Sequence, residues 1–129
     1  MKTRLIAVVV AALLVIALGT IEVVLSNQYL SVVYDEAKKL TAEIDESNYL
    51  ETNNIERISE LANYWQQKEN ILCFMVIHKD IEDLGKALAE CKASQEVENY
   101  QDFKRSLDLA LFLSDAYTHI FTLSAQNVF

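Results

Sequence analysis

The chain begins with an apolar run that is long enough to cross a membrane. The 21 residues from Leu5 to Leu25 are apolar apart from three interruptions: Gly19, Thr20 and Glu22. About 20 consecutive apolar residues span the hydrocarbon core of a bilayer as a helix. The pattern therefore predicts two parts, a transmembrane signal anchor in residues 1–25 and an extracytoplasmic helical domain in residues 26–129.

The flanks of this run predict its orientation. Lys2 and Arg4 precede it, and basic flanks stay on the cytoplasmic side of a membrane. We therefore expect a single-pass protein of the cytoplasmic membrane, with its N-terminus inside. The alternative is a cleaved signal peptide, because Ala17-Leu18-Gly19 fits a small-residue cleavage site. The continuation of the apolar run to Leu25 favours the uncleaved anchor.

Beyond the run, apolar residues recur every three or four positions, which is the spacing of one helix face. The first stripe extends the initial helix to about Glu46 and consists of Val33, Ala37, Leu40 and Ile44. Polar stretches at 47–54 and 94–99 are typical of loops, and Asn99 with Asp102 is typical of a helix start. We expect an all-α fold in which the transmembrane helix continues into a small antiparallel bundle of three to four helices.

Two stripes of different phase follow in the middle of the chain. The first is Ile55, Ile58, Ala62, Trp65 and Leu72, and the second is Phe74, Ile77, Ile81, Leu84, Leu88 and Cys91. Residues 71–77 between them are almost entirely apolar and contain no proline or glycine. This favours one continuous helix that changes its buried face, with a kink as the alternative. Trp65 is expected to anchor the core.

The last helix is predicted to be apolar on two faces. One face carries Phe103, Leu107, Ala110, Leu111, Ser114, Tyr117 and Phe121. The other carries Leu109, Phe112, Leu113, Ala116, Ile120 and Leu123. A helix with two apolar faces either fills the centre of the bundle or offers one face to a partner. We predict that Leu109, Phe112, Leu113, Ala116 and Ile120 bind another protein or a second copy of this chain.

Composition narrows the range of functions. The chain carries a net charge of −8, and from Ser26 onward it has nine basic and eighteen acidic side chains. Such an acidic surface repels phosphate backbones, so no nucleic-acid partner is expected. The chain has no proline, and its two glycines are Gly19 and Gly85, which disfavours sheets and hairpins.

The residues with potential chemistry are few. His78 and Glu82 are spaced to share a helix face, but two side chains are too few for a zinc site. Cys73 and Cys91 are expected to be buried thiols, and whether they pair is left open. We therefore predict no catalytic residue, no metal and no cofactor. The alternative to an interaction module is a ligand- or metal-sensing bundle in which Trp65, His78, Glu82 and His119 converge.

Several of these features together resemble a bacterial family. They are the single N-terminal span, Trp65, the segment His78-Lys79-Asp80-Ile81-Glu82 with Leu84, and His119-Ile120 in the apolar last helix. This arrangement is similar to the family catalogued as domain of unknown function 4363, and the similarity covers nearly the whole chain. The resemblance implies a small, membrane-anchored helical protein, mainly of Gram-positive bacteria, with no established activity. It supports this architecture and leaves the function open. The apolar excess of the last helix supports a non-enzymatic interaction module on the outer face of the cytoplasmic membrane, binding a membrane or envelope protein.

Overall fold

The computed structural model describes residues 1–72 and 78–128, and the side-chain surroundings of residues 1–72 and 81–117. The described residues form four helices and no strand: α1 (Lys2–Glu43), α2 (Thr52–Leu72), α3 (His78–Glu96) and α4 (Tyr100–Val128). The predicted all-α fold with one long apolar N-terminal helix is confirmed.

Helix α1 has an exposed part and a packed part. Residues 1–18 are all exposed, and an 18-residue window of α1 reaches a mean hydropathy of 2.8. By length and composition α1 can cross a membrane, although a signal sequence has the same properties. The packed part begins at Ser26, and its buried residues follow the alternating spacing of a helix-packing seam. They are Ser26, Leu30, Val33, Ala37 and Leu40.

The second half of α1 and the other three helices form an antiparallel bundle. Each helix packs against the next, and α4 closes the ring by packing against α1. The core contains Trp65, Phe103 and Leu40, each at most 1% exposed. Arg57 of α2 forms ion pairs with Glu36 and Glu43 of α1, at 3.2 and 2.6 Å.

The chain reverses direction between α2 and α3. The indole Nε1 of Trp65 donates a hydrogen bond to the carbonyl oxygen of Ile81 at 3.1 Å. A continuous helix would separate two residues 16 positions apart by about 24 Å. The expectation of one continuous helix is therefore wrong. Helices α2 and α3 bury their apolar stripes against each other, and this packing can favour a reversal even without a proline or glycine. Residues 73–77, where that expectation falls, lie outside the described residues.

We call the end of the bundle that carries the α1–α2 and α3–α4 loops the distal end. We call the opposite end, where Ser26, Leu72 and the last turns of α4 lie, the proximal end. Both loops overlap the predicted polar stretches: they comprise residues 44–51 and 97–99, so α1 ends about three residues earlier than expected and α3 extends into the second stretch. The predicted cap is also confirmed, since the backbone N–H of Asp102 donates to Oδ1 of Asn99 at 3.1 Å.

Candidate interaction surface

The two apolar faces of α4 have different surroundings. Five residues of the first face are buried: Phe103, Leu107, Ala110, Ser114 and Tyr117. On the second face, Leu109 is 42% exposed and Phe112 is 67% exposed. Leu113 and Ala116 are half-buried at the edge of the same face. The division into an inward and an outward face thus follows the sequence pattern.

We call Leu109, Phe112, Leu113 and Ala116 the outer patch. Ile120, the fifth predicted partner-binding residue, belongs to α4, but its side-chain surroundings lie outside the described residues. Phe112 is the most exposed aromatic side chain in the described part of the chain. An exposed phenylalanine beside a leucine one turn away is a small apolar surface that a partner can cover.

Charged side chains surround the outer patch. Lys104, Arg105, Asp108 and Asp115 are all exposed on α4. Arg105 forms an ion pair with Asp102 one turn before it, at 2.7 Å. An apolar centre with a charged margin is the usual composition of a protein interface.

A groove between α2 and α3 has a volume of about 630 Å³. The groove is lined by Glu69, Glu82 and Gly85, and also by the charged residue Lys86. Burial raises the pKa of the Glu69 carboxyl, and the negative charge of Glu82 raises it further. A Cβ atom at Gly85 would lie 2.7 Å from Oε2 of Glu69, so a larger residue here would displace the Glu69 carboxylate.

The four residues of the sensing alternative are only partly described. Trp65 is 1% exposed and its N–H is already bonded to Ile81, so it serves the core as predicted. Glu82 is exposed at the α2–α3 groove. The side chains of His78 and His119 lie outside the described surroundings, so their convergence with Trp65 and Glu82 stays a prediction. Within the described residues, no three His, Cys, Asp or Glu side chains are grouped to hold a metal ion.

Cys91 is a free thiol in the core. It is fully buried, and burial raises the pKa of its thiol to about 12. A thiol with this pKa stays protonated at neutral pH and is therefore a poor nucleophile. Its part in the packing fits the expectation of a small hydrophobic side chain. Cys73 lies outside the described residues.

Sequence reasoning missed how far the bundle extends along α1. Residues 1–18 are exposed, whereas Glu22, Val23 and Leu25 are half-buried and Ser26 is completely buried. Other helices of the bundle therefore cover the outermost turns of the apolar run. The apolar character of these turns hid this contact, because the same residues suit both lipid and a protein neighbour.

No family model, curated protein or solved structure matches this chain. The resemblance to domain of unknown function 4363 therefore remains a prediction that rests on the motifs alone.

Proposed function

We propose that this chain is a non-enzymatic, membrane-anchored helical module that binds a membrane or envelope protein, or a second copy of itself. Helix α1 holds it in the cytoplasmic membrane with the N-terminus inside, and the bundle faces the outside. The basic residues Lys2 and Arg4 before the apolar run support this orientation.

The observation that carries the proposal is the exposure of Phe112 and Leu109 on α4. The inward face of the same helix already supplies the core, so these two side chains are not needed to close the bundle. Burying their apolar surface against a partner is favourable by about 25 cal/mol per Å² before the costs of association. The surrounding charges keep the free bundle soluble and restrict which partners fit.

The anchor is tested on the full chain expressed in bacterial membranes. Intact-mass measurement of the extracted protein should show that residues 1–25 are retained. Protease added to the outside of intact cells should remove the bundle while the N-terminus stays protected. A product that begins at Thr20 and is recovered in the soluble fraction would contradict the anchor, and protection of the bundle would contradict the orientation.

The binding surface is tested with a double substitution, Leu109→Asp with Phe112→Asp, in the full chain. Chemical crosslinking in native membranes should give a defined adduct with the unsubstituted chain that the double variant loses. The matched control is Ile55→Asp with Val97→Asp, which charges two exposed apolar residues elsewhere, 39% and 73% exposed. The control should retain the adduct.

Circular dichroism shows whether a variant that loses the adduct has lost its binding surface or has unfolded. The proposal expects unchanged helicity in both double variants, because all four side chains are exposed. Absence of an adduct in the unsubstituted chain, or its persistence in the α4 variant, would contradict the proposal. Unfolding of the α4 variant alone would assign the outer patch to the core and contradict it equally.

A further inference from the structure

The relative position of α1 and α4 fixes where α4 ends. At the distal end a groove between them is lined by Thr41 and Ala42 from α1 and by Phe103 and Leu107 from α4. The two helices are antiparallel and both rise about 1.5 Å per residue. Leu107 is level with about Thr41, and α4 continues for 21 residues beyond Leu107. The end of α4 is therefore level with about residue 20, inside the apolar run.

Burial along α1 supports the same position independently. Ser26 is 0% exposed and Leu30 is 1% exposed, although Ser26 directly follows the apolar run. Glu22, Val23 and Leu25, in the outermost turns of that run, are half-buried. Neighbouring helices therefore accompany α1 past the end of its packed part and into the segment expected to cross the membrane.

Helix α2 reaches the same level. The Nζ atom of Lys68 lies 4.7 Å from the centre of the Tyr29 ring, so these residues are level with each other. Leu72, one turn further along antiparallel α2, is therefore level with about Leu25. Ile71 in this last turn is 52% exposed. An exposed isoleucine at this level suits a membrane surface better than water.

The composition of α4 changes where it approaches the span. Residues 116–129 contain no Asp, Glu, Lys or Arg, and His119 is the one side chain among them that can be charged near neutral pH. Asp115 is level with about Val33, eight residues or about 12 Å beyond Leu25. The charges on α4 thus stop before the helix reaches the headgroup region, which extends about 5–7 Å outside the hydrocarbon core. An uncharged helix end can enter that region without desolvating a charged side chain.

We propose that the proximal end of the bundle docks on the lipid surface of the outer leaflet, with the last turns of α4 lying in the membrane interface beside the outer turns of the span. This inference rests on the proposed anchoring by α1 and is independent of the outer patch. It makes the bundle stand upright on the membrane, held by α1 and by the last described turns of α4. The outer patch then lies on the side of the bundle and faces a neighbour in the plane of the membrane.

The test compares two tryptophan substitutions on α4, each made in the full chain in phosphatidylcholine vesicles. Leu123→Trp lies level with about Leu25, at the edge of the hydrocarbon core. Phe112→Trp is the matched control. It lies eleven residues earlier on nearly the same face of the helix and about 16 Å further from the membrane. Lipids brominated near the headgroup end of the acyl chains act as the quencher, and the unsubstituted chain corrects for Trp65.

The proposal expects loss of the added emission in Leu123→Trp and little loss in Phe112→Trp, with a blue-shifted maximum only in Leu123→Trp. The loss should persist when protein is diluted in excess lipid. Absence of quenching in Leu123→Trp would overturn the proposal. So would equal quenching of both variants, which means a bundle lying flat, or quenching that disappears on dilution, which means that a second copy covers the helix.

Failure of the anchor is separable from failure of this proposal. Vesicle flotation of the unsubstituted chain reports anchoring alone. A chain that floats but shows no quenching in Leu123→Trp refutes the docked end and leaves the anchor intact. A chain that does not float refutes the anchor, and the docked end with it.

Discussion

The two ends of the bundle satisfy their polar groups in different ways. At the distal end, side chains close both loops. Nδ2 of Asn48 donates to the carbonyl oxygen of Glu43, and Nδ2 of Asn54 donates to the carbonyl oxygen of Asn48, each at 2.9 Å. Nε2 of Gln95 reaches across the bundle to the carbonyl oxygen of Tyr49 at 2.9 Å. These bonds replace the helical partners that backbone groups lack at a helix end.

The proximal end has fewer such bonds among the described residues. The hydroxyl of Ser26 and Oδ1 of Asn27 are buried there without a hydrogen-bond partner in the described part of the chain, and so is Oε1 of Gln95 at the distal end. Near the proximal end α4 carries no Asp, Glu, Lys or Arg after Asp115, and α1 carries only Glu22 between Arg4 and Asp35. Helix α2 carries Lys68 and Glu69 there, and α3 begins with His78-Lys79-Asp80. The contrast teaches that the distal end is built to meet water, whereas the α1 and α4 side of the proximal end suits a less polar neighbour. This agrees with the proposed lipid contact.

Trp65 lies between the two ends and tests whether they fold as one unit. Trp65→Ala should destabilise the bundle by about 3–5 kcal/mol, since it removes a fully buried indole and leaves a cavity. Denaturant unfolding of the full chain in detergent, followed by circular dichroism, measures this. Trp65→Phe retains most of the volume but loses the hydrogen bond to Ile81, and should cost clearly less. An unchanged unfolding curve for Trp65→Ala would mean that α2 and α3 do not share one core.

Gln95 tests the distal end. Gln95→Ala removes the bond to Tyr49 and leaves a buried carbonyl group unpaired, which should cost about 1–3 kcal/mol of unfolding free energy. Gln101→Ala, at an exposed position of the same end, is the control and should change little. If the two variants unfold alike, the cross-bundle hydrogen bond does not hold the distal end together.

Glu98 offers a smaller, stabilising change at the distal end. It ends α3 with a φ of 56°, a left-handed conformation that costs a residue with a Cβ atom about 1 kcal/mol. Glu98→Gly should therefore raise the unfolding free energy by up to about 1 kcal/mol. Glu96→Gly, within the last turn of α3, is the control and should lower it. Destabilisation by Glu98→Gly would show that its carboxylate contributes more than its backbone costs.

Glu69 should make the free energy of unfolding depend on pH. Its raised pKa means that the folded state binds this proton more tightly than the unfolded chain does. Ionised Glu69 therefore opposes folding at neutral pH. That cost should disappear as the pH falls through the raised pKa toward the ordinary value near 4.5. Glu82, Lys86 and Lys92 line the same groove and set the local field.

Glu69→Gln should accordingly be more stable than the unsubstituted chain at pH 7 and equal to it near pH 4.5. Urea unfolding across this pH range measures the difference. Glu60→Gln, at an exposed position of α2, is the control for removal of a carboxylate. A Glu69→Gln variant that is less stable at pH 7 would show that the carboxylate has a favourable partner.

Ser26 provides the smallest expected effect and the sharpest test of the proximal end. Ser26→Ala removes a buried hydroxyl that has no partner among the described residues, so stability should be unchanged or rise by up to about 1 kcal/mol. Ser31→Ala, at an exposed position on α1, is the control. If Ser26→Ala lowers the free energy of unfolding as much as Gln95→Ala does, the proximal end is hydrogen-bonded like the distal end. The proposed difference between the two ends would then be wrong.

The sequence by itself determined the helical fold, the two polar loops and the two faces of α4. These properties depend on local backbone preferences and on the spacing of apolar residues, which is visible along the chain. Trp65 and Phe103 could be assigned to the core for the same reason, and Phe112 to the opposite face of its helix from Phe103. The apolar run before Ser26 likewise indicated a membrane-spanning helix without any tertiary information.

Tertiary structure alone decided which elements meet. The reversal from α2 to α3 has no proline or glycine to mark it, and the contact of Trp65 with Ile81 and the approach of Gly85 to Glu69 reveal it. Periodicity shows that a face is apolar but not whether lipid, solvent or another helix covers it. The half-burial of the outer turns of the span and the exposure of Phe112 were therefore settled by long-range packing, because burial depends on neighbours that are distant in sequence.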